Sequence, residues 1–273
     1  MNNTDEKYTK FGLTKDMLAT PEIVRKFDSS RMLQTAVEIA KVGRLLMTGE
    51  GSSRIFPAKS AMRAALQHGW NLQLATEAGK QAQEYNLAEW AVFALSNSGR
   101  TAEVIGLFTK LAEAGHEQLY SLTAFEDSKL ESVATKGYVL GCGEEGAVAA
   151  TKSVVEQALF YRALLEQIAG QPALAGRLDD LATKMNTALT LEIPAELTEK
   201  ISKAGTIYWA GRNDGVAEDS LENFRKSTGN PPETRCKPTR SPKRWVSSQK
   251  TKLVVFSGAV PGKAGKAVAL PRF

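Results

Sequence analysis

The feature that most constrains this chain is a unit that recurs from Arg44 onward: a short apolar run, a turn of small residues, then a stretch with helical spacing. The first run is 44–48. It ends in Gly49, Glu50, Gly51, Ser52 and Ser53, and an Ala-rich helix follows over 55–67, with Pro57 tolerable in its first turn. The second run is 71–76, ending at Glu77, with a short helix or loop over 79–85. The third is 90–95. Ser96, Asn97, Ser98, Gly99, Arg100 and Thr101 follow it, and then Val104, Ile105, Leu107 and Phe108 at helical spacing. Two more runs follow at 119–123 and 138–140, and a long helix reaches from Thr151 and Lys152 to Ile168. Strands alternating with helices predict an α/β fold whose parallel sheet is covered on both faces.

In such sheets ligands bind beyond the carboxyl ends of the strands. Three turns fall there: 51–53, Glu77, and 96–101. The third carries the most chemistry. The first turn of a helix has unpaired N–H groups and a partial positive charge. Ser96, Ser98 and Thr101 add hydroxyl donors, and Gly99 lets the backbone come close. A phosphate suits this turn best. The competing reading is structural: Thr101 caps its own helix and the serines satisfy the turn.

Outside the repeating units the chain is read more coarsely. Residues 1–28 form a helical lead, in which Pro21 suits a first turn. Residues 29–170 form the main domain, and Ser30 can cap its first helix. Gly170, Gln171 and Pro172 end that unit. Residues 171–219 hold two linker helices and a new strand at 206–210, ending in Gly211, Arg212, Asn213, Asp214 and Gly215. This echoes the first strand and its glycine turn, so an incomplete second βα unit begins here. Residues 220–273 lose the pattern; 253–256 is the one strand-like run. They hold six of the ten prolines, and 12 of the 35 Lys+Arg against 2 of the 30 Asp+Glu. The other 219 residues therefore carry 23 basic and 28 acidic groups, so nothing in 1–219 argues for nucleic acid. The tail reads either as disordered and basic or as translated out of frame. No apolar run approaches the roughly 20 residues of a membrane span. The polar N-terminus lacks a signal-peptide core. With two distant cysteines, Cys142 and Cys236, a reducing cytoplasm is the expected compartment.

At its turns the sequence resembles the sugar isomerase (SIS) domain family. The resemblance rests on the runs 48–53, 96–101 and 148–152, and on the lead-in 17–22. It looks most like the isomerase half of glucosamine–fructose-6-phosphate synthase and related ketose-phosphate isomerases or deglycases. It covers residues 13–170 well and 171–218 as the start of a second SIS half. The resemblance implies a five-stranded parallel sheet flanked by helices, in a flavodoxin-like three-layer sandwich. It implies that Ser96, Asn97, Ser98 and Thr101, with Gly99, hold the phosphate. It implies that Ser53 touches the sugar, and that Thr151 and Lys152 contribute. Ala150 departs from the pattern, since many relatives carry serine there. Two-lobed relatives also use a glutamate and a lysine on a helix of the second half; Glu218 is the last residue that fits it.

Aldose–ketose isomerisation needs a base between adjacent carbons and an acid to open the ring. Glu77 is the first candidate base, at a strand end and near the position of a working glutamate in some single-domain relatives. Glu144 and Glu145 lie in a glycine loop opposite. His68 and His116 read as ordinary surface, no cluster has metal-ligand spacing, and no cofactor is expected. Three functions follow. One is an isomerase or deaminase of a sugar phosphate or amino-sugar phosphate, so whether the chain is an enzyme stays open. The second is a non-catalytic phosphosugar-binding or regulatory module. The third is an inactive remnant of a two-lobed isomerase. The expected partner is a sugar phosphate, with a homodimer as the expected assembly and no membrane.

Overall fold

The computed structural model describes residues 1–2, 4–204, 206–228, 233–238 and 252–257. A helical lead, α1 (Glu6–Thr9), α2 (Gly12–Arg25) and α3 (Leu33–Val42), precedes the sheet. The repeating units follow: β1 (Arg44–Gly49), α4 (Ser52–His68), β2 (Gln73–Ala78), α5 (Gly79–Ala82), β3 (Ala91–Leu95), α6 (Ala102–Glu113), β4 (Leu119–Thr123), β5 (Lys136–Val139) and α7 (Lys152–Ile168). Two helices, α8 (Leu178–Thr190) and α9 (Ala195–Lys203), lead on to β6 (Thr206–Gly211), α10 (Val216–Thr228), β7 (Glu233–Pro238) and β8 (Lys252–Ser257). Ser30 does not cap α3. Met32 holds that position, and the Ser30 N–H and hydroxyl both donate to the Asp28 carboxylate.

The first five strands form one sheet in the order β2-β1-β3-β4-β5, every pair parallel. Period-two alternation divides their side chains between two cores. Leu45, Met47, Phe93 and Leu95 face the core shared with Val24, Ile39, Ala58 and Phe160 of the helices on one side. Leu46, Val92 and Ala94 face the core shared with Val104, Leu107 and Phe108 of α6 on the other. Phe93 is fully buried, with its ring 5.8 Å from Tyr120 and 5.5 Å from both Phe160 and Tyr161. The result is an α/β sandwich with a five-stranded parallel sheet between helical layers.

A second parallel sheet has the order β7-β6-β8, pairing Ile207 with Thr234 on one side and Leu253 on the other. Two features go beyond the sequence pattern. Helix α10 runs on to Thr228, past Asp219 where the pattern fails. Ala217, Leu221 and Phe224 recur at helical spacing along it; Ala217 is buried and Phe224 packs against Ile207 and Ala204. Ser220 and Ser227 each donate their hydroxyl back to a carbonyl one turn earlier. A strand also occupies 233–238, where none was expected. The rest of the expected tail, 229–232, 239–251 and 258–273, lies outside the described residues.

Candidate functional site

The sheet reverses its direction of growth between β1 and β3. From β1 the chain goes outward to β2, then returns to β3 on the other side. Adjacent loops therefore separate at the carboxyl ends of β1 and β3, where Gly49 pairs with Leu95. This is the crevice in which doubly wound sheets bind ligands. A cleft of about 210 Å³ opens there. Glu50, Ser52 and Ser53 line it from the β1 turn. Ser96, Asn97, Ser98 and Thr101 line it from the β3 turn, and Glu145, Ala147, Val148 and Ala150 from the loop before α7.

The β3 turn is tied down. Ser96 N–H donates to Leu122 O at 3.1 Å, and Asn97 O and Gly99 O accept from Ala124 and Leu130. Gly99 has φ +61°, and a Cβ there would sit 2.4 Å from Ser128 Cβ, so a side chain is excluded on both counts. Thr101 occupies the N-cap position of α6 without a side-chain capping bond. Its hydroxyl is instead 2.9 Å from Ser96 Oγ. The serines do hold the turn, as Ser96 Oγ accepts from Gly99 N–H and Ser98 Oγ from Arg100 N–H. The serines thus satisfy the turn, while Thr101 does not cap its helix through its side chain. The hydroxyl oxygens of the serines are fixed by backbone donors while the turn opens on the cleft. Asn97 Oδ1 is buried without a partner, which leaves one unfilled hydrogen-bonding position.

Not every expected residue is in the cleft. Glu77 is not among its lining residues. The sequence pattern ends the second strand before Glu77, but β2 continues to Ala78 and pairs Glu77 with Thr48. The Glu77 carboxylate accepts from its neighbour Ala78 N–H at 2.9 Å and from the Tyr85 hydroxyl at 3.3 Å. Glu50 lies in the cleft instead, its carboxylate accepting from Gly79 N–H at 2.8 Å. The sequence did contain it, inside the Gly49–Gly51 turn, but a glutamate between glycines gives no sign of which way it faces.

Thr151 and Lys152 also stand back from the cleft. Glu145 fills the N-terminus of α7, accepting from Thr151 N–H at 2.8 Å, Ser153 N–H at 2.9 Å and the Thr151 hydroxyl at 2.9 Å. Lys152 pairs with Asp16 of α2 at 3.1 Å, and Asp16 also accepts from Gly146 N–H at 2.6 Å. These contacts brace the loop that forms the third wall. Burial pushes the Cys142 thiol up, helped by the Glu156 carboxylate, so it stays protonated and is a poor nucleophile. Among the described residues no group of His, Cys, Asp and Glu is placed to hold a metal ion, and no helix is long and apolar enough to cross a membrane.

No family model matches the chain, and no curated protein matches it. Solved structures do. The C-terminal domain of glucosamine-fructose-6-phosphate aminotransferase from Francisella tularensis matches with TM-score 0.66 and 13% identity, over 86% of this chain and 71% of that one. Tagatose-6-phosphate ketose/aldose isomerase from Escherichia coli matches with TM-score 0.67 and 16% identity, over 83% and 67%. Glucosamine-6-phosphate deaminase from Thermotoga maritima matches with TM-score 0.63 and 18% identity, over 84% and 70%. The chain shares the fold of these phosphosugar proteins, which is the fold of the SIS domain.

Proposed function

We propose that this chain is an SIS-domain protein that binds a phosphosugar, seating the phosphate against the turn after β3. The observation that carries this reading is that Ser96, Asn97, Ser98 and Thr101 line one cleft with Ser52 and Ser53 of the turn after β1. The hydroxyls and the N-terminus of α6 supply donors and a partial positive charge to a phosphate. The orphaned Asn97 oxygen suits a sugar hydroxyl. Gly99 shapes the turn rather than contacting the ligand, and Thr151 and Lys152 act through Glu145 and Asp16. A thermal shift with fructose 6-phosphate or glucosamine 6-phosphate tests the reading. Both are expected to raise the melting temperature, free fructose is not, and Ser98→Ala is expected to abolish the rise. A shift of equal size in Ser98→Ala would contradict it.

A second reading, isomerisation or amine removal, is supported by the two carboxylates in the cleft, Glu50 and Glu145. Each could take the proton moved between adjacent carbons, but each is already committed to backbone N–H groups and would have to leave them. Turnover of either sugar phosphate that is lost in Glu50→Gln and kept in Glu77→Gln would establish it. Binding without turnover leaves the first reading alone. The proposed assembly is a homodimer, an expectation carried from the resemblance, and sedimentation equilibrium tests it.

A further inference from the structure

The cleft has a fourth wall, and it comes from the part of the chain where the sequence pattern fails. Lys226, on the last turn of α10, lines the cleft with Ser53, Ser98 and Thr101. It is the one lysine or arginine among the described residues that line it. Its ammonium would stand 3.8 Å from a Cβ built on Gly51, so it lies over the turn after β1. Its ion pair is a loose one. Glu222, one turn back on the same helix, is 3.5 Å away, and the Lys226 side chain is 30% exposed. Such a pair is held weakly, and an ammonium has three donors to give.

Helix α10 itself is fixed to both sides of the cleft. Asn223 Oδ1 accepts from Ala150 N–H at 3.1 Å and from the Ser52 hydroxyl at 3.4 Å. The Asn223 amide donates to the buried Asp219 carboxylate at 3.1 Å. Lys59 of α4 pairs with Glu218 at 2.6 Å. The turn before α10 comes so near α4 that a Cβ on Gly215 would lie 2.5 Å from Ile55 O, and Gly215 has φ +85°. The stem of Lys226 is thus anchored and only its flexible end is free to turn. The charge balance also asks for a cation. Glu50 and Glu145 already face the cleft, and a phosphate entering beside them needs an opposite charge.

Resting on the phosphosugar reading of the same cleft, we infer that Lys226 is a ligand-binding residue. Its ammonium leaves Glu222 and pairs with the ligand's phosphate from the side opposite the Ser96, Ser98 and Thr101 hydroxyls. The ligand class this selects is the phosphate ester over the free sugar. The anion site is then made from parts of the chain far apart in sequence, and α10 is part of it.

Calorimetric titration with inorganic phosphate and with fructose 6-phosphate tests this, using the full chain. Lys226→Met is expected to weaken both by about tenfold or more, the usual worth of a hydrogen bond to a charged group. Lys226→Arg keeps the charge and is expected to retain most of the affinity. Glu222→Gln frees the ammonium and is expected to tighten both. Ser98→Ala serves as the control for the cleft. If Ser98→Ala loses binding while Lys226→Met and Glu222→Gln match the unmodified chain, the role of Lys226 is overturned and the cleft stands. If the unmodified chain binds neither probe, both readings fall. Should Lys226→Met disturb the helix, as a lowered melting temperature would reveal, Glu222→Gln decides: tighter binding supports the pairing and unchanged binding overturns it.

Discussion

The two sheets start alike and are completed differently. In each, a strand that ends in a glycine turn stands between two parallel neighbours, β1 between β2 and β3, and β6 between β7 and β8. The turn after each leads into a helix, α4 or α10. The first sheet adds β4 and β5 and buries an aromatic cluster of Phe93, Tyr120, Tyr138, Phe160 and Tyr161. Around β6 the described core is Ala204 and Ile207, with Ile201, Trp209 and Phe224 packed against them. Strand order alone therefore does not make a site. The first sheet supplies the rigid turns of the cleft because large side chains fix their strands from both faces. The second supplies one helix, which reaches the first region through contacts such as Lys59 with Glu218 and Ser52 with Asn223.

The largest test of that contrast is Phe93→Ala. Emptying this position is expected to cost about 3–5 kcal/mol, read as a fall in the urea midpoint. Ile207, 1% exposed, has the matching place in the smaller cluster, and Ile207→Ala is expected at the low end for such changes, about 2 kcal/mol. Equal costs would mean that the second sheet is as fully packed as the first. A chain that shows no cooperative transition before mutation would favour the remnant of a larger isomerase.

Next is Asp219, whose carboxyl is raised to about 6, first by burial and then by Glu222, against help from Ser52 and Lys226. A carboxyl with a raised folded pKa binds its proton more tightly when folded. Its contribution is therefore fully present below the unfolded value of 3.8 and is lost as pH rises through about 6. Keeping it ionised at pH 7 costs up to about 3 kcal/mol. Asp219→Asn should raise the melting temperature at pH 7, and the gain should vanish below about pH 4. A gain that persists at low pH would point to a cause other than the buried charge. The smallest effect belongs to Lys59→Met. Its pair with Glu218 joins the two regions while both side chains are 26% exposed, so its loss should cost about 1 kcal/mol or less. A larger loss would mean that α10 depends on this single pair.

The first sheet was legible because its strands announce themselves as apolar runs, and because the serine turn is contiguous in sequence. The spacing and chemistry of Ser96 to Thr101, and for Ser53 the resemblance, pointed to turns that do line one cleft. Glu77 stands on β2 and off the cleft's lining, because one or two residues at a strand end decide whether a side chain stands in a turn or on the strand. Thr151 is engaged by Glu145, which fills the same helix N-terminus, and only the folded loop reveals it. Lys226 and Asn223 were out of reach. They meet Gly51, Ser52 and Ala150 from far along the chain, on a helix that lies beyond the last residue the sequence pattern reached.

The most direct measurement is the change in backbone amide chemical shifts on adding fructose 6-phosphate to the isotope-labelled chain. The expected result is a set of saturable shifts at Ser96, Asn97, Ser98 and Thr101, with Ser52 and Ser53 moving at the same ligand concentrations. Saturable shifts confined to the opposite end of the sheet, around Arg44, Trp90 and Gln118, would contradict the cleft, and so would a spectrum that does not change.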